Sequence, residues 1–168
     1  FHAQMEYFYN RLTQYVVQVL EAGADFISLG GNIYAGDPPL DGRKKWGVSI
    51  QCPDGVVPMQ FGTDRVEVLY VRNLSVVTSG DYQRCFMVDG KIYHHIIDPA
   101  TLYPSEYWRS VTILCADSGL ADALSTALFL LPYEEGLALA QKCGAEAMWV
   151  DQAGEQFYTP GFADYIRT

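Results

Sequence analysis

Short segments in which apolar and polar residues alternate constrain the fold of this chain more than any other feature. Such alternation over about four to eight residues is typical of β-strands with one buried face. The predicted strands are Phe26 to Leu29, Trp46 to Ile50, Val66 to Val71, Leu74 to Val77, Arg84 to Val88, Ile92 to Ile97 and Val111 to Cys115. Asp89-Gly90 separates two of them and predicts a type I′ hairpin, because that turn needs positive φ at both central residues.

Helical periodicity occurs near the start of the chain and again after the strands. Apolar residues at helical spacing predict an amphipathic helix over residues 3–22 and two further helices over Leu120 to Leu131 and Glu134 to Lys142. Two short strands follow, at Ala147 to Val150 and Glu155 to Tyr158. This order favours an α+β fold, a mixed or antiparallel sheet packed with a few helices, over a doubly wound parallel sheet. The 168 residues fit a single domain.

Charge excludes some classes of function. Lys and Arg total 11 against 20 Asp and Glu, a net charge of −9, which disfavours binding to nucleic acid or to an anionic membrane surface. A phosphorylated small ligand remains compatible, since a bound metal supplies local positive charge. The four cysteines form no C-x-x-C pair, so neither a zinc site nor a disulfide framework is predicted.

Asp122 and Thr126 are the first candidate site. Their spacing places a carboxylate and a hydroxyl one turn apart on the same face of a predicted helix. Two hard oxygen ligands suit Mg²⁺, which completes its octahedron with water and substrate phosphate. The alternative is that Asp122 is a favourable charge in the first helical turn. Spacing alone favours that alternative.

The second candidate lies at the end of a predicted strand, in His94-His95-Ile96-Ile97-Asp98-Pro99. Side chains alternate along a strand, so one histidine faces the core and the other faces outward. Asp98 precedes proline, which pushes it to extended geometry and ends the strand in a turn. A strand-end histidine beside a turn carboxylate can act as a general base with its orienting partner. The alternative, favoured by spacing alone, is a packing histidine and an Asp that caps the turn.

Two small-residue segments, Thr78-Ser79-Gly80-Asp81 and Gly30-Gly31-Asn32, each follow a predicted strand. Hydroxyls and free backbone N–H groups at such places let the chain approach a ligand closely. Neither segment matches a Rossmann or P-loop pattern, and each alone is a common turn.

The joint order of these segments resembles the ApbE family, the FAD:protein FMN transferases, from about residue 24 to residue 150. The matching segments are Gly30 to Tyr34, Thr78 to Tyr82, His95 to Pro104, and Ala121 to Ala127. The resemblance implies Mg²⁺-dependent transfer of FMN from FAD, the substrate, to a threonine hydroxyl of an acceptor protein, with release of AMP. It also implies that the acceptor is a membrane electron-transfer subunit and that the location is extracytoplasmic and membrane-associated.

The resemblance also implies a role for each matching residue. Asp122 and Thr126 match the metal ligands, and His95 matches the histidine that takes the proton from the attacking hydroxyl. The segments Thr78 to Asp81 and Gly30 to Asn32 match loops that line the flavin and pyrophosphate. A metal held by Asp122 and Thr126 would recruit the anionic nucleotide to an acidic chain.

Two departures from the family pattern stand out. Leu102 and Ala100 replace a glycine and a frequent arginine, and Leu102 is expected to alter the turn because leucine rarely takes positive φ.

Family members are nearly twice this length, so the chain is expected to be their C-terminal portion. Residues 1–23 keep a helical pattern but lack the family's Ala-Lys-Gly motif. An FAD-binding module without transfer activity and an Mg²⁺-dependent FAD pyrophosphatase are the alternatives.

Overall fold

The computed structural model describes residues 25–53, 65–82 and 84–167, and the predicted helix over residues 3–22 lies outside them. The strands are β1 (Phe26–Leu29), β2 (Asn32–Ala35), β3 (Trp46–Gln51), β4 (Arg65–Val71), β5 (Leu74–Gly80), β6 (Cys85–Val88), β7 (Lys91–His94), β8 (Ser110–Cys115), β9 (Glu146–Val150) and β10 (Gln156–Tyr158). The helices are α1 (Ser118–Phe129) and α2 (Tyr133–Lys142), followed by a 3₁₀ helix (Phe162–Tyr165).

A six-stranded sheet organises the fold, in the order β1-β2-β5-β8-β9-β10, and each neighbouring pair is antiparallel. β3 pairs with β4 and β6 pairs with β7 in two separate two-stranded sheets. The predicted α+β class with an antiparallel sheet is confirmed. Within the described part of the chain, no helix is both long and apolar enough to cross a membrane.

The central strand β8 is buried along its whole length because both faces of the sheet are covered. Val111 and Ile113 pack into a core shared with α1 and α2. Leu114 packs into a second core on the opposite face, with β3 and β4. Burial on both faces explains why Ile113, Leu114 and Cys115 follow one another with no polar residue between them.

Helix α1 begins earlier than its apolar pattern predicts. Asp117 is its N-cap, and the Asp117 carboxylate accepts a hydrogen bond from the Leu120 backbone N–H at 2.8 Å. The helix therefore starts at Ser118, and its first turn contains no acidic residue. The prediction that Asp122 lies in the first turn was wrong, so a favourable charge at the helix start does not explain this carboxylate.

The largest differences from the predicted strands concern β5, β7 and β2. β5 continues through Gly80, because Thr78, Ser79 and Gly80 pair with the long strand β8 instead of turning away. β7 ends at His94, and Ile97 only forms an isolated bridge with Pro104. The sequence pattern does not predict β2 (Asn32–Ala35), because this strand directly follows Gly30-Gly31, a segment typical of turns that approach a ligand.

Two hairpins depend on residues with positive φ: the predicted hairpin between β6 and β7, and a hairpin between β1 and β2 that the sequence pattern did not predict. Asp89 and Gly90 have φ values of 49° and 78° and join β6 to β7, which confirms the predicted turn. Gly30 and Gly31 have φ values of 54° and 97°, and the pair Leu29–Asn32 closes the hairpin between β1 and β2. Consecutive positive φ values strongly favour such residues, since most side chains clash with the backbone there.

Candidate functional site

Asp122 and Thr126 are exposed on helix α1, one turn apart. The buried face of the helix lies beside them and consists of Ala121, Leu124, Ser125, Leu128 and Phe129. Burial of that face fixes the helix against the sheet, since a fully buried leucine or phenylalanine contributes about 1.5–3 kcal/mol. The two candidate oxygen ligands therefore project from a rigid element at the edge of the core.

The hydroxyl of Ser79 on β5 reaches this same helix. Its Oγ lies 2.7 Å from the Oγ of Ser125, and the Ser125 hydroxyl also bonds to the Asp122 carbonyl oxygen at 2.9 Å. A carbonyl oxygen only accepts, so Ser125 donates to Asp122 and Ser79 donates to Ser125. The next hydroxyl along the strand, that of Thr78, lies 2.9 Å from the hydroxyl of Thr112 on β8. Both hydroxyls predicted to face a ligand thus bond within the protein.

The hairpin between β1 and β2 lies at the beginning of the same helix. Ser118, the first residue of α1, donates its hydroxyl proton to Asn32 Oδ1 at 2.8 Å. The carbonyl oxygen of Gly31 accepts a hydrogen bond from the Thr78 N–H at 3.1 Å. The structure therefore brings the segment Gly30 to Asn32 next to β5 and α1, as a shared ligand site requires.

Asp81 is engaged in a buried ion pair. Only 5% of this residue is exposed, and its Oδ2 accepts a hydrogen bond from Arg109 Nε at 2.9 Å. The Asp81 N–H also donates to the Arg109 carbonyl oxygen at 3.0 Å. The Arg109 guanidinium extends the contact to the Pro53 carbonyl oxygen at 3.3 Å. The carboxylate thus anchors the end of β5 to neighbouring chain segments.

Gly80 has a packing reason that requires no ligand. A Cβ atom at this position would lie 2.4 Å from the ring of Tyr82, closer than any side chain tolerates. Tyr82 is itself 8% exposed, so its ring cannot move away without leaving the core. Glycine is therefore needed here to let a core aromatic ring approach the backbone.

The two histidines occupy opposite sides of the chain, as the alternation predicts. His94 is buried at 7% exposure, whereas His95 is exposed. The Nδ1 of His94 accepts a hydrogen bond from the Ile96 N–H at 3.3 Å, so its Nε2 carries the proton and donates to the Ser105 carbonyl oxygen at 2.9 Å. His94 is a satisfied core histidine, and His95 is the one that a substrate can reach.

The turn after His95 has the geometry expected of an Asx turn. The Asp98 carboxylate accepts a hydrogen bond from the Ala100 N–H at 2.8 Å, and the Asp98 carbonyl oxygen accepts one from the Leu102 N–H at 2.8 Å. Among the hydrogen bonds between described residues, none links this carboxylate to His95. Asp98 caps the turn, which is the alternative that spacing favoured.

Leu102 adopts the left-handed backbone conformation that normally favours glycine. Its φ is +60°, although leucine rarely takes positive φ. The side chain is 77% exposed and has room in solvent. The left-handed conformation costs a non-glycine residue about 1–2 kcal/mol, and the hydrogen bonds across the turn offset that strain.

The turn that follows His95, here called the histidine turn, is joined to the end of helix α1, which carries Asp122 and Thr126. The hydroxyl of Ser105 donates to the Phe129 carbonyl oxygen at 3.1 Å. The ring of His94 packs edge-on against the ring of Phe129, with centroids 5.6 Å apart. Asn32, Ser79 and His94 therefore contact, directly or through one residue, the beginning, middle and end of one helix.

An open cavity of about 560 Å³ lies beside the histidine turn, a volume in the range that binds small ligands. It is lined by Lys91, Asp98, Thr101, Tyr103, Pro104, Ser105, Glu106 and Tyr107. Lys91 and Glu106 form an ion pair at 2.8 Å across it. Hydrogen bonding to Lys91 lowers the pKa of Glu106, and the same bond raises the pKa of Lys91. Sequence reasoning missed these two residues because they belong to different elements.

The oxygen ligands at Asp122 and Thr126 fit Mg²⁺. Among the described residues, no group of three or more His, Cys, Asp or Glu side chains is placed to hold a metal ion. Zinc sites need about three or four such ligands. Magnesium is bound through one or two protein oxygens together with water and substrate phosphates, so two exposed oxygens suffice.

Comparison with known proteins identifies the family. The sequence model of the ApbE family matches residues 7–149, so the chain belongs to the ApbE family. The FAD:protein FMN transferase of Treponema pallidum (strain Nichols) is 39% identical over 93% of this chain and 45% of that protein. The corresponding transferase of Haemophilus influenzae is 35% identical over 75% of this chain and 35% of that protein.

Solved structures agree with this family. The crystal structure of the ApbE protein from Thermotoga maritima superposes with a TM-score of 0.74 at 34% identity, and covers 85% of this chain and 45% of that one. The apo flavinyl transferase ApbE of Pseudomonas stutzeri gives a TM-score of 0.64 at 30% identity, with 83% of this chain and 42% of that one covered. The chain spans less than half the length of these relatives.

Proposed function

We propose that this chain carries the C-terminal portion of an FAD:protein FMN transferase. The observation that carries the proposal is the exposed Asp122–Thr126 pair on a helix fixed to the sheet, in a chain of the ApbE family. The reaction breaks the bond between the FMN phosphorus and the bridging oxygen of FAD. A phosphoester bond forms to a threonine oxygen of an acceptor protein, AMP leaves, and the threonine proton passes to a base.

Asp122 and Thr126 would hold Mg²⁺ against the FAD pyrophosphate. When bound, the ion supplies neutralisation of the charge that the phosphate oxygens carry in the transition state. The Asp122 carboxylate would contribute one negative charge and the Thr126 hydroxyl none. A bound Mg²⁺ would therefore keep a net positive charge, which attracts an anionic nucleotide. This arrangement accounts for nucleotide binding by a chain of net charge −9.

His95 is the proposed base. It is exposed, whereas its neighbour His94 is held by hydrogen bonds to the backbone of Ile96 and of Ser105. A positioned general base contributes about 10²–10⁴-fold to the rate. Asp98 supports this role by capping the turn that follows His95, through the bond from the Ala100 N–H.

The proposed acceptor is an electron-transfer subunit of a membrane complex, as the family resemblance implies, and the proposed location is extracytoplasmic. Relatives named FAD:protein FMN transferase match 93% and 75% of this chain, which supports FAD as the substrate and a protein as the acceptor.

One reaction mixture tests the proposal. The 168-residue chain is incubated with FAD, Mg²⁺ and a flavin-acceptor domain; covalent flavin is detected by in-gel fluorescence after denaturation, and AMP by chromatography. A fluorescent acceptor band with equimolar AMP supports the transferase. AMP and free FMN without a fluorescent band identify an FAD pyrophosphatase. Bound FAD with neither product identifies a binding module. An acceptor with its threonine replaced by alanine is the matched control.

A further inference from the structure

Ser125 is the least exposed polar residue of helix α1, at 0% exposure, and it lies directly between the proposed metal ligands in sequence. Its one proton goes to the Asp122 carbonyl oxygen, and its oxygen accepts the proton of Ser79. The result is a directed chain of hydrogen bonds from strand β5, through a helix side chain, to the backbone of the residue that bears the carboxylate.

These two hydrogen bonds limit rotation of helix α1 about its own axis, a movement that apolar packing restricts only weakly. Burial of Leu124 and Leu128 holds the helix on the sheet, but the hydrophobic effect is non-directional and tolerates a small rotation about the helix axis. A hydrogen bond of 2.7 Å between Ser79 and Ser125 is directional. Rotation of α1 would move the exposed oxygens of Asp122 and Thr126 relative to the sheet, and this bond opposes that rotation.

The buried hydroxyl of Ser125 also needs a reason, since its partner Ser79 is only partly buried. Alanine at position 125 would avoid the cost of burying a polar group and would favour the helix. The pair is therefore better explained by geometry than by stability.

We propose that Ser79 and Ser125 are positioning residues for the cation that Asp122 and Thr126 bind. The inference rests on the proposed function, and it changes the role that family resemblance implies for Ser79. The Ser79 proton is directed to the helix, so this residue acts on the metal ligands through Ser125 and not by contact with the flavin.

Two variants of Ser79 with nearly the same shape provide the test. Ser79→Thr keeps the hydroxyl and Ser79→Val replaces it with a methyl group, so the added bulk cancels in the comparison. The probe is Mn²⁺ in the presence of FAD, which supplies the phosphate oxygens that complete the coordination, and free Mn²⁺ is measured by electron paramagnetic resonance during titration into the 168-residue chain. We expect Ser79→Val to raise the Kd for Mn²⁺ about 10-fold, as lost supporting contacts do in metal sites, and Ser79→Thr to retain the wild-type Kd.

Thr112→Val is the matched control. It removes the hydroxyl pair between Thr78 and Thr112, one residue along the same strand, without touching α1. Its Kd for Mn²⁺ should equal that of the wild type. Ser125→Ala removes the same hydrogen bonds from the helix side and should raise the Kd for Mn²⁺ as Ser79→Val does. This second variant keeps the test decisive if the valine variant does not fold.

The outcomes separate this inference from the proposed function. Wild-type Mn²⁺ affinity in both Ser79→Val and Ser125→Ala overturns the positioning role, as does an equal loss in Thr112→Val. If the wild type binds no Mn²⁺, or if Asp122→Ala binds it as tightly as the wild type, the metal site itself is wrong and the proposed function fails with it.

Discussion

The two ends of helix α1 are supported in different ways. Its beginning and middle are bonded to strands of the six-stranded sheet, through Ser118 to Asn32 and through Ser125 to Ser79. Its end contacts the β6–β7 hairpin, which forms a separate two-stranded sheet. Every residue of β6 in this hairpin is exposed. His94 is the buried contact from this hairpin region to the helix.

This difference separates the proposed metal ligands from the proposed base. Asp122 and Thr126 project from a helix packed on the main core, whereas His95 follows a peripheral hairpin. Regions with few buried apolar contacts open at lower free energy than a central sheet. Loss of the buried His94 contact should therefore loosen the hairpin locally, and changes in the central sheet should affect the stability of the whole protein.

The largest effect is expected at the buried ion pair of the central sheet. Asp81→Asn removes the charge of a carboxylate that is 6% exposed in its side chain and lies 2.9 Å from Arg109 Nε. We expect the free energy of unfolding to fall by about 3 kcal/mol, the upper end of what a hydrogen bond between charged groups contributes. Urea denaturation measures it. Asp41→Asn is the control, since the Asp41–Arg43 pair has the same chemistry but both side chains are more than half exposed; an equal loss in both variants would contradict the contrast.

A smaller, local effect is expected at the hairpin. His94→Phe preserves the ring volume but leaves the Ile96 N–H and the Ser105 carbonyl oxygen without this partner. The cost should be about 2 kcal/mol, the usual penalty for stranded buried groups. Hydrogen exchange should accelerate over residues 91–107 and stay unchanged in β8. His95→Phe, at the adjacent exposed position, is the control and should leave the free energy of unfolding and the exchange rates unchanged. Uniform acceleration of exchange across the protein in His94→Phe would show that the hairpin does not open as a separate unit.

The turn after His95 contains strain that a substitution can release. Leu102→Gly should stabilise the protein by about 1 kcal/mol, because Leu102 has a φ of +60° and glycine adopts that conformation without a clash. Thermal unfolding measures the gain. Leu40→Gly is the control for loss of an exposed leucine side chain, and a destabilised Leu102→Gly would mean that the leucine makes an essential contact.

The smallest effect concerns alkaline pH and Tyr133 of helix α2, whose ring packs against Trp149 of the six-stranded sheet. Burial, and to a lesser degree the charge of Glu134, raises the pKa of Tyr133 above its usual value of 10.0. A raised pKa means that the folded state favours the neutral phenol, so the stabilisation is complete below about pH 10 and is lost as the pH rises through the higher folded pKa. Unfolding midpoints should fall above pH 10, and Tyr133→Phe should reduce that dependence. An unchanged pH dependence in the variant would exclude Tyr133 as its source.

Sequence patterns predicted most strands and helices because alternation and helical periodicity are local. The Asp89-Gly90 hairpin followed from turn chemistry alone. The extension of β5 through Gly80 was missed, since it depends on pairing with β8, some 30 residues away. The roles of Ser125 and Arg109 were missed for the same reason, because each is defined by a partner in a distant segment. Family resemblance assigned roles to Ser79 and Asp81 that their observed partners do not require.

The mass of the acceptor protein tests the central claim most directly. After incubation of the chain with FAD, Mg²⁺ and an acceptor domain, the acceptor should gain the mass of one FMN less one water, on a peptide that contains its threonine. The chain with Asp122→Ala should produce no such gain, since the carboxylate that would hold the cation is gone. An acceptor of unchanged mass with the wild-type chain, or the same gain with Asp122→Ala, would contradict the account.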